Sequence, residues 1–341
     1  MDYSKIAVLI PAYKPDERLI KLTDDLIAAG FRHLVVIDDG GGEKYAPIFA
    51  ALEGKAQVLT HEVNRGKGAG LKTGIAEIMK SDAIGIVTAD CDGQHTPEDV
   101  KKIADALLAH PDSLILGSRN IREMPLRSKA GNTLTCFVFA ALTGLKIGDT
   151  QTGLRGLPKD WFETFLKLDG DRYEYEINML MSAGENKIPV VEVEIATIYI
   201  DNNSSSHFNA LKDGLRIYKL MFRQAGKFCL SSLISALIDY VMFILFDIVL
   251  GWEVAFAQIG ARIISSLANY FMNTKLVFKG KVTAATLIKY YVLAACILLC
   301  SIGGLKLLTG WGIPNLVAKI IVDAILYIVS YKVQQTAIYK K

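Results

Sequence analysis

Asp90 and Asp92 flank a single residue, Cys91, just beyond the apolar run Ile84–Thr88. Two carboxylates at that spacing past a buried strand reach one site, and Gln94 adds a carbonyl oxygen from the same side. Hard divalent cations take oxygen ligands, and such a cation neutralises the charge that builds on a departing diphosphate. Asp-x-Asp triplets also occur on solvated turns, so placement carries the inference. Two further polar clusters end short apolar runs. They are Pro11-Ala12-Tyr13 after Ile6–Ile10, and Asp38-Asp39-Gly40-Gly41-Gly42 after Leu34–Ile37. Asn64-Arg65-Gly66-Lys67-Gly68 reads as a glycine-rich helix start that offers amides and Lys67 to an anion. A solvated turn with charged flanks is the plainer alternative.

The elements that must hold these clusters follow from the hydrophobic pattern. Short apolar runs at Ile6–Ile10, Leu34–Ile37, Gln57–Leu59, Ile84–Thr88 and Leu114–Leu116 alternate with helical patterns near 17–29, 67–80 and 98–109. Strand–helix alternation predicts a parallel sheet with helices on both faces. Ligands in such folds bind at the carboxyl ends of the strands, where all three clusters lie.

Taken in order, VLIPAYKPDERL, VVIDDGGG, NRGKGAGLKTGI, TADCDGQHTPED, LGSRN and DTQTGLRG resemble the family 2 glycosyltransferases. The likeness is strongest to the polyprenyl-phosphate branch and covers residues 5 to about 220. It implies an α/β GT-A (Rossmann-like) catalytic domain over residues 1–206 and inversion at the anomeric carbon. It implies a donor pocket of Pro11, Tyr13, Asp38, Asp39, Lys67, Cys91 and Arg119, in which Asp39, with Asp38 beside it, contacts the nucleoside. Asp90, Asp92 and Gln94 are implied as ligands of Mg2+ or Mn2+, and Asp92, Arg119 and Asp149 as catalytic. One departure stands out: Pro15 occupies the position where the family usually carries Glu. Asp16 or Glu17 is the nearest substitute, and Lys14 adds a cation there.

On the acceptor side, Arg119, Arg122, Arg127 and Lys129 lead into the apolar run Leu134–Leu145. A basic cluster before an amphipathic segment suits a lipid phosphate at the headgroup layer; a buried helix with a solvated basic start fits the same pattern. Arg155 is a candidate phosphate clamp, and Ser205 and His207 lie in a polar loop that reads either as a phosphate contact or as a serine linker. A lipid monophosphate is ionised near neutral pH. Asp149 is therefore expected to position acceptor or donor sugar rather than act as a strict base.

Residues 228–337 have the composition of a membrane domain. The 51% hydrophobic content and mean hydropathy of +0.30 come mostly from them. Lys212, Arg216, Lys219, Arg223 and Lys227 line one face of a juxtamembrane helix expected over 207–227. Four spans are expected at about 228–250, 254–278, 287–308 and 313–336, each near the length that crosses a bilayer. The outer turns lack Lys and Arg, while Lys275, Lys279, Lys281, Lys332, Lys340 and Lys341 mark the inner side. The positive-inside rule then puts the catalytic domain and the C-terminus in the cytoplasm of a bacterial-type inner membrane. Ala261-Arg262-Ile263-Ile264 and Ala318-Lys319-Ile320-Ile321 match at an offset of 57 (319 − 262), which suggests duplicated hairpins. This all-α four-helix domain, 228–341, resembles the GtrA-like family, proposed to help flip polyprenyl-phosphate sugars.

Charges inside spans are costly. Arg262 and Lys319 either pair structurally with Asp239 and Asp323 or form a path for a phosphate headgroup. A net charge of +3 does not point to nucleic acid. The Met1–Ile10 stretch shows no signal-peptide pattern. Five cysteines without a paired framework suit free thiols in a reducing compartment. The expected partners are a nucleotide-sugar donor, polyprenyl (undecaprenyl) phosphate and membrane lipid, with self-association left open. The expected activity is sugar transfer to the lipid phosphate, with assistance to translocation as a second role. A flippase with a regulatory soluble domain is the alternative.

Overall fold

The computed structural model describes residues 2–143, 145–196, 198, 212–278 and 280–339. Two compact units divide the chain, Met1–Leu220 and Met221–Lys341. The first runs β1 (Ile6–Ala12), α1 (Glu17–Ala28), β2 (His33–Asp38), α2 (Ala46–Ala50), β3 (Gln57–Thr60), α3 (Lys67–Ile78), β4 (Gly85–Thr88), α4 (Pro97–Ala109), β5 (Leu114–Arg119), α5 (Leu126–Thr143), β6 (Arg155–Pro158), α6 (Phe162–Leu166), α7 (Glu174–Asn186) and β7 (Val190–Ile195). All seven residues of β1 and all four of β4 are buried, as expected of apolar strands covered on both faces. Asp16 caps α1 by accepting the Arg18 amide at 3.0 Å, and Thr96 caps α4 by accepting the Asp99 amide at 3.1 Å. Leu19, Leu22 and Leu26 of α1 pack with Ile6, Val8, Ile10 and Phe31 in the main core. Each such aliphatic side chain contributes roughly 1.5–3 kcal/mol by its burial.

The sheet order is β3-β2-β1-β4-β6-β5-β7. The strands through β4 pair in parallel, but β6 runs antiparallel between β4 and β5, so the sheet is mixed rather than purely parallel. The reason is local. The segment before β6 stays at the carboxyl edge, where the Thr88 hydroxyl donates to Gly153 O at 2.7 Å and Gly117 N donates to Leu154 O at 2.9 Å. A strand entering from that edge, with Arg155 beside Thr88, must run the opposite way.

The remaining helices are α8 (Lys212–Ile244), α9 (Val254–Met272), α10 (Ala284–Gly310) and α11 (Asn315–Val333). A π turn follows α8 at Leu245–Val249, α9 at Asn273–Val277 and α11 at Gln334–Ile338. Gly226–Val249 and Ala284–Gly310 are long and apolar enough to cross a bilayer, each with mean hydropathy 2.1. From Lys212 on, where the described residues resume, the expected juxtamembrane helix and first span form one continuous helix, because no proline interrupts 212–244 and its two glycines, Gly214 and Gly226, only weaken it.

The internal repeat has a different register from the one expected. α9 and α11 have equal lengths and equivalent π turns at an offset of 61 (334 − 273), not 57. Gly251 and Gly312 both take positive φ at that offset, and Ala257 and Ala318 are both fully buried. Asn273 and Gln334, equivalent under the repeat, hydrogen-bond to each other at 3.2 Å. Phe278 and Tyr339, also equivalent, stack at 5.0 Å. Packing at the π turns that follow α9 and α11 sets this register, and the four-residue motif shared at 57 places Arg262 and Lys319 one helical turn out of equivalence.

Candidate active site

The carboxyl ends of β1, β2 and β4 open on a pocket of about 380 Å³. Pro11, Tyr13, Asp39, Lys67, Asp90, Cys91 and Asp92 line it as expected, with Asp16, Arg18, Asn64, Arg172 and Tyr173 added. Asp38, Gln94, Arg119 and Asp149 lie outside that lining. Asp38 Oδ1 accepts the Gly41 amide at 3.0 Å, and the Gln94 amide donates to Asp92 Oδ1 at 3.0 Å.

Asp39 is 2% exposed, and both its oxygens are already engaged. Oδ1 lies 2.8 Å from His61 Nδ1 and accepts the Arg65 amide at 2.9 Å. Oδ2 accepts Asn64 Nδ2 at 2.9 Å and the Gly66 amide at 2.7 Å. The Arg65 and Gly66 amides, just before α3, hold the Asp39 carboxylate, which forms part of the pocket wall. Gly66 has φ +102, and a Cβ there would sit 2.4 Å from Asp171 O, so the turn admits only glycine.

Lys67 projects from the first turn of α3 to Asp90 at 2.6 Å and Glu176 of α7 at 3.0 Å. Burial alone would lower its pKa; the two carboxylates outweigh that and raise it. Burial would likewise raise the Asp90 carboxyl, but Lys67 and His95 beside it hold it well below the usual carboxylate range. His95 Nε2 lies 3.3 Å from Asp90 Oδ2, and its buried Nδ1 has no protein partner. Asp92 is shifted up, by burial first and then by the charge on Asp90. The same two effects push the Cys91 thiol up to about 12, so it lines the pocket as a neutral group.

A divalent cation fits this donor set. Asp90 and Asp92 present crowded, partly buried carboxylates, and among the described residues no cation lies as close to Asp92 as Lys67 does to Asp90. Among the described residues no three His, Cys, Asp or Glu side chains form a closed cage. Two protein carboxylates with phosphate oxygens completing the shell is the usual arrangement for Mg2+.

The other expected residues separate from this pocket. Arg119, at the end of β5, makes a two-point contact with Asp149: Nε to Oδ2 at 2.6 Å and a terminal nitrogen to Oδ1 at 3.1 Å. Asp149 is fully buried and also accepts the Gln151 amide at 3.0 Å. Arg155 is not a phosphate clamp. It is 1% exposed and donates to the carbonyls of Thr152 at 3.0 Å, Glu176 at 2.6 Å and Thr150 at 3.5 Å. Arg122 is exposed in the turn after β5, and Lys129 is half-buried in α5. The side chain of Arg127, together with Ser205 and His207, lies outside the described residues.

Gly153, Glu176, His95 and Arg18 join the site without having been singled out by their place in the sequence. A Cβ at Gly153 would stand 2.3 Å from Asp90 Oδ2 and 2.7 Å from Lys67 Nζ. Its position inside DTQTGLRG was the available signal. Glu176 in a helical pattern offered none.

In the second unit, Arg262 lies 3.2 Å from Asp239, and Ser265 donates to Asp239 at 2.7 Å. Lys319 pairs with Asp323 one turn along the same helix, at 2.9 Å.

Residues 7–166 match the profile described as glycosyl transferase family 2, and residues 227–339 match the GtrA/DPMS transmembrane domain. The UDP-N-acetylglucosamine–dolichyl-phosphate N-acetylglucosaminyltransferase of Methanococcus voltae is 28% identical over 65% of this chain and 97% of its own. An uncharacterized protein of Methanocaldococcus jannaschii is 30% identical over 64% and 92%. The polyprenol monophosphomannose synthase of Mycolicibacterium smegmatis is 29% identical over 55% and 75%. Among solved structures, glucosyl-3-phosphoglycerate synthase from Mycobacterium tuberculosis, in complex with Mn2+, UDP-glucose and phosphoglyceric acid, aligns at a TM-score of 0.52. It shares 18% identity over 65% of this chain and 80% of that one, a likeness of fold.

Proposed function

Because this chain belongs to glycosyl transferase family 2 and carries a GtrA/DPMS transmembrane domain, we propose that it moves a sugar from a UDP- or GDP-sugar onto a polyprenyl phosphate, with inversion, at the cytoplasmic face of a membrane it crosses four times. The observation that carries the reading is the strand-end pocket in which Asp90 and Asp92 share one wall with Lys67 and Arg18. Relatives named for transfer to dolichyl phosphate or for polyprenol monophosphomannose synthesis support the lipid acceptor.

The chemistry follows from charge. An oxygen of the lipid phosphate attacks the anomeric carbon; the bond to the diphosphate oxygen breaks, and the nucleoside diphosphate leaves with the electron pair. The attacking oxygen is already anionic, so no side chain must remove a proton. Asp90 and Asp92 would hold a divalent cation, which would supply neutralisation of the leaving charge. Asp39 keeps the 64–66 turn against the pocket. Arg18, held by Asp16 at 2.5 Å, stands near Asp92 as a further cation for the diphosphate. The Arg119–Asp149 pair fixes the carboxyl end of β5 against the 148–151 turn, where the acceptor enters. Outward apolar residues on α5 support the approach of a lipid.

Arg262 and Lys319 both stand in ion pairs, which favours a structural role over a headgroup path and makes synthesis the leading activity. The test is purified full-length protein in detergent with undecaprenyl phosphate, Mg2+ or Mn2+, and a panel of labelled UDP- and GDP-sugars. One donor is expected to give a chromatographically distinct lipid product, lost on Asp92→Asn. No lipid product with any donor would refute the proposal.

A further inference from the structure

Asp90 is held from two sides. Lys67 Nζ lies 2.6 Å from Oδ1, and His95 Nε2 lies 3.3 Å from Oδ2. Lys67 has a second carboxylate within reach, Glu176 at 3.0 Å, and the side chains of Lys67 and Glu176 are only 15% and 8% exposed. The ammonium has little room elsewhere. The Gly153 backbone closes one side so tightly that a Cβ would stand 2.7 Å from Nζ, and the Tyr173 ring covers another at 5.9 Å. A divalent cation arriving at Asp90 and Asp92 therefore meets an ammonium already bound to one of its ligands. Like charges sharing one carboxylate in a partly desolvated site repel strongly.

We propose that Lys67 is the resident cation of the donor site and that Glu176 is the carboxylate that retains it. When a divalent cation enters at Asp90, Lys67 gives up Asp90 and keeps the ion pair it already makes with Glu176, without leaving the site. Glu176 is a positioning residue: it acts on the metal site through Lys67. A bare Asp90 flanked by Asp92 would be costly to bury, so the ammonium keeps the site charge-balanced before the donor complex arrives. After the exchange the ammonium stays within the pocket, beside the place of the diphosphate. The inference rests on the reading of Asp90 and Asp92 as the metal-bearing carboxylates.

The test is a double-mutant cycle on Mn2+ affinity, measured by electron paramagnetic resonance of free Mn2+ with full-length protein in detergent at neutral pH, without donor or lipid. Glu176→Gln keeps shape but removes the retaining charge. It is expected to weaken Mn2+ binding by about tenfold, the low end of what outer partners do to metal affinity. Lys67→Met is expected to bind Mn2+ more tightly than wild type. In the Lys67→Met background, Glu176→Gln is expected to change affinity by less than about twofold, because the two residues act as a unit. Equal effects of Glu176→Gln in both backgrounds would mean simple long-range attraction and would overturn the exchange. So would an unchanged affinity in Glu176→Gln. Thermal unfolding of each variant checks folding, and Lys67→Gln is the replacement background if Lys67→Met does not fold. If wild type binds no Mn2+, the metal reading of Asp90 and Asp92 fails together with this inference. If wild type binds and the variants do not move, only this inference fails.

Discussion

Two arginines in one motif region have opposite fates. Arg119 reaches Asp149 from the end of β5 and keeps 18% of its side chain exposed. Arg155, at the start of β6, points inward and joins three backbone carbonyls from two places in the chain, the 150–152 turn and α7. Spacing cannot separate them, since each has a glycine and a hydroxyl residue within the three positions before it. The antiparallel entry of β6 separates them by turning Arg155 toward α7. Arg155→Met is expected to leave the carbonyls of Thr152 and Glu176 without their buried donor, at about 1.5–3 kcal/mol for a charge-assisted bond. A lower unfolding temperature with unchanged KM for polyprenyl phosphate is the expected pattern. An intact unfolding temperature with a raised KM would restore the clamp reading. Asp90, Asp92 and Lys67 were legible because their chemistry is local, within four residues of an element end. Glu176 and His61 were not, because each acts on a residue far away in sequence.

At the scale of elements, α5 is the least ordinary helix. It buries Asn132, Thr135 and Phe139 and exposes Leu134 and Phe137, the latter at 72%. The buried polar groups are satisfied: Asn132 donates to Gly148 O at 3.1 Å, and the Thr135 hydroxyl lies 3.2 Å from that of Tyr218 in α8. A helix with apolar residues outward and satisfied polar residues inward suits the acyl boundary better than water. The sequence run Leu134–Leu145 indicated an apolar segment but not which face it would turn. Leu134→Ser with Phe137→Ser is expected to leave folding intact and raise KM for the lipid acceptor severalfold, about 1 kcal/mol or more for the apolar area no longer covered by the acyl chain, with KM for the nucleotide sugar unchanged. Kinetics with short-chain and full-length polyprenyl phosphates checks this. An equal effect on the short, water-soluble acceptor would count against a lipid-facing role.

For the whole molecule, the second unit is built on a repeat whose two copies meet at the π turns after α9 and α11. Asn273 is the hub: it accepts the Ser231 hydroxyl at 2.5 Å, and its amide donates to Asn269 at 2.7 Å and to Gln334 at 3.2 Å. Phe228, Phe278, Tyr331 and Tyr339 pack around this polar knot. Asn273→Leu removes all three bonds. At about 0.6 kcal/mol for a typical bond between membrane helices, the loss is roughly 2 kcal/mol. It should lower the unfolding midpoint of the detergent-solubilised protein, and an unchanged midpoint would show that the aromatic packing suffices.

Element types, the strand-end placement of the donor cluster and the presence of apolar spans all follow from short-range pattern: apolar periodicity, capping residues and glycine turns act within a few residues. The antiparallel β6, the burial of Arg155, the engagement of Asp39 by the 61–66 segment and the repeat register of 61 do not. Each depends on which distant segments compete for the same backbone group or the same space. Asp90 itself shows the division. Its nearness to Asp92 is written in the chain, but its partners Lys67, His95 and Gly153 meet it only because β4, α3 and the turn before β6 converge on one edge of the sheet.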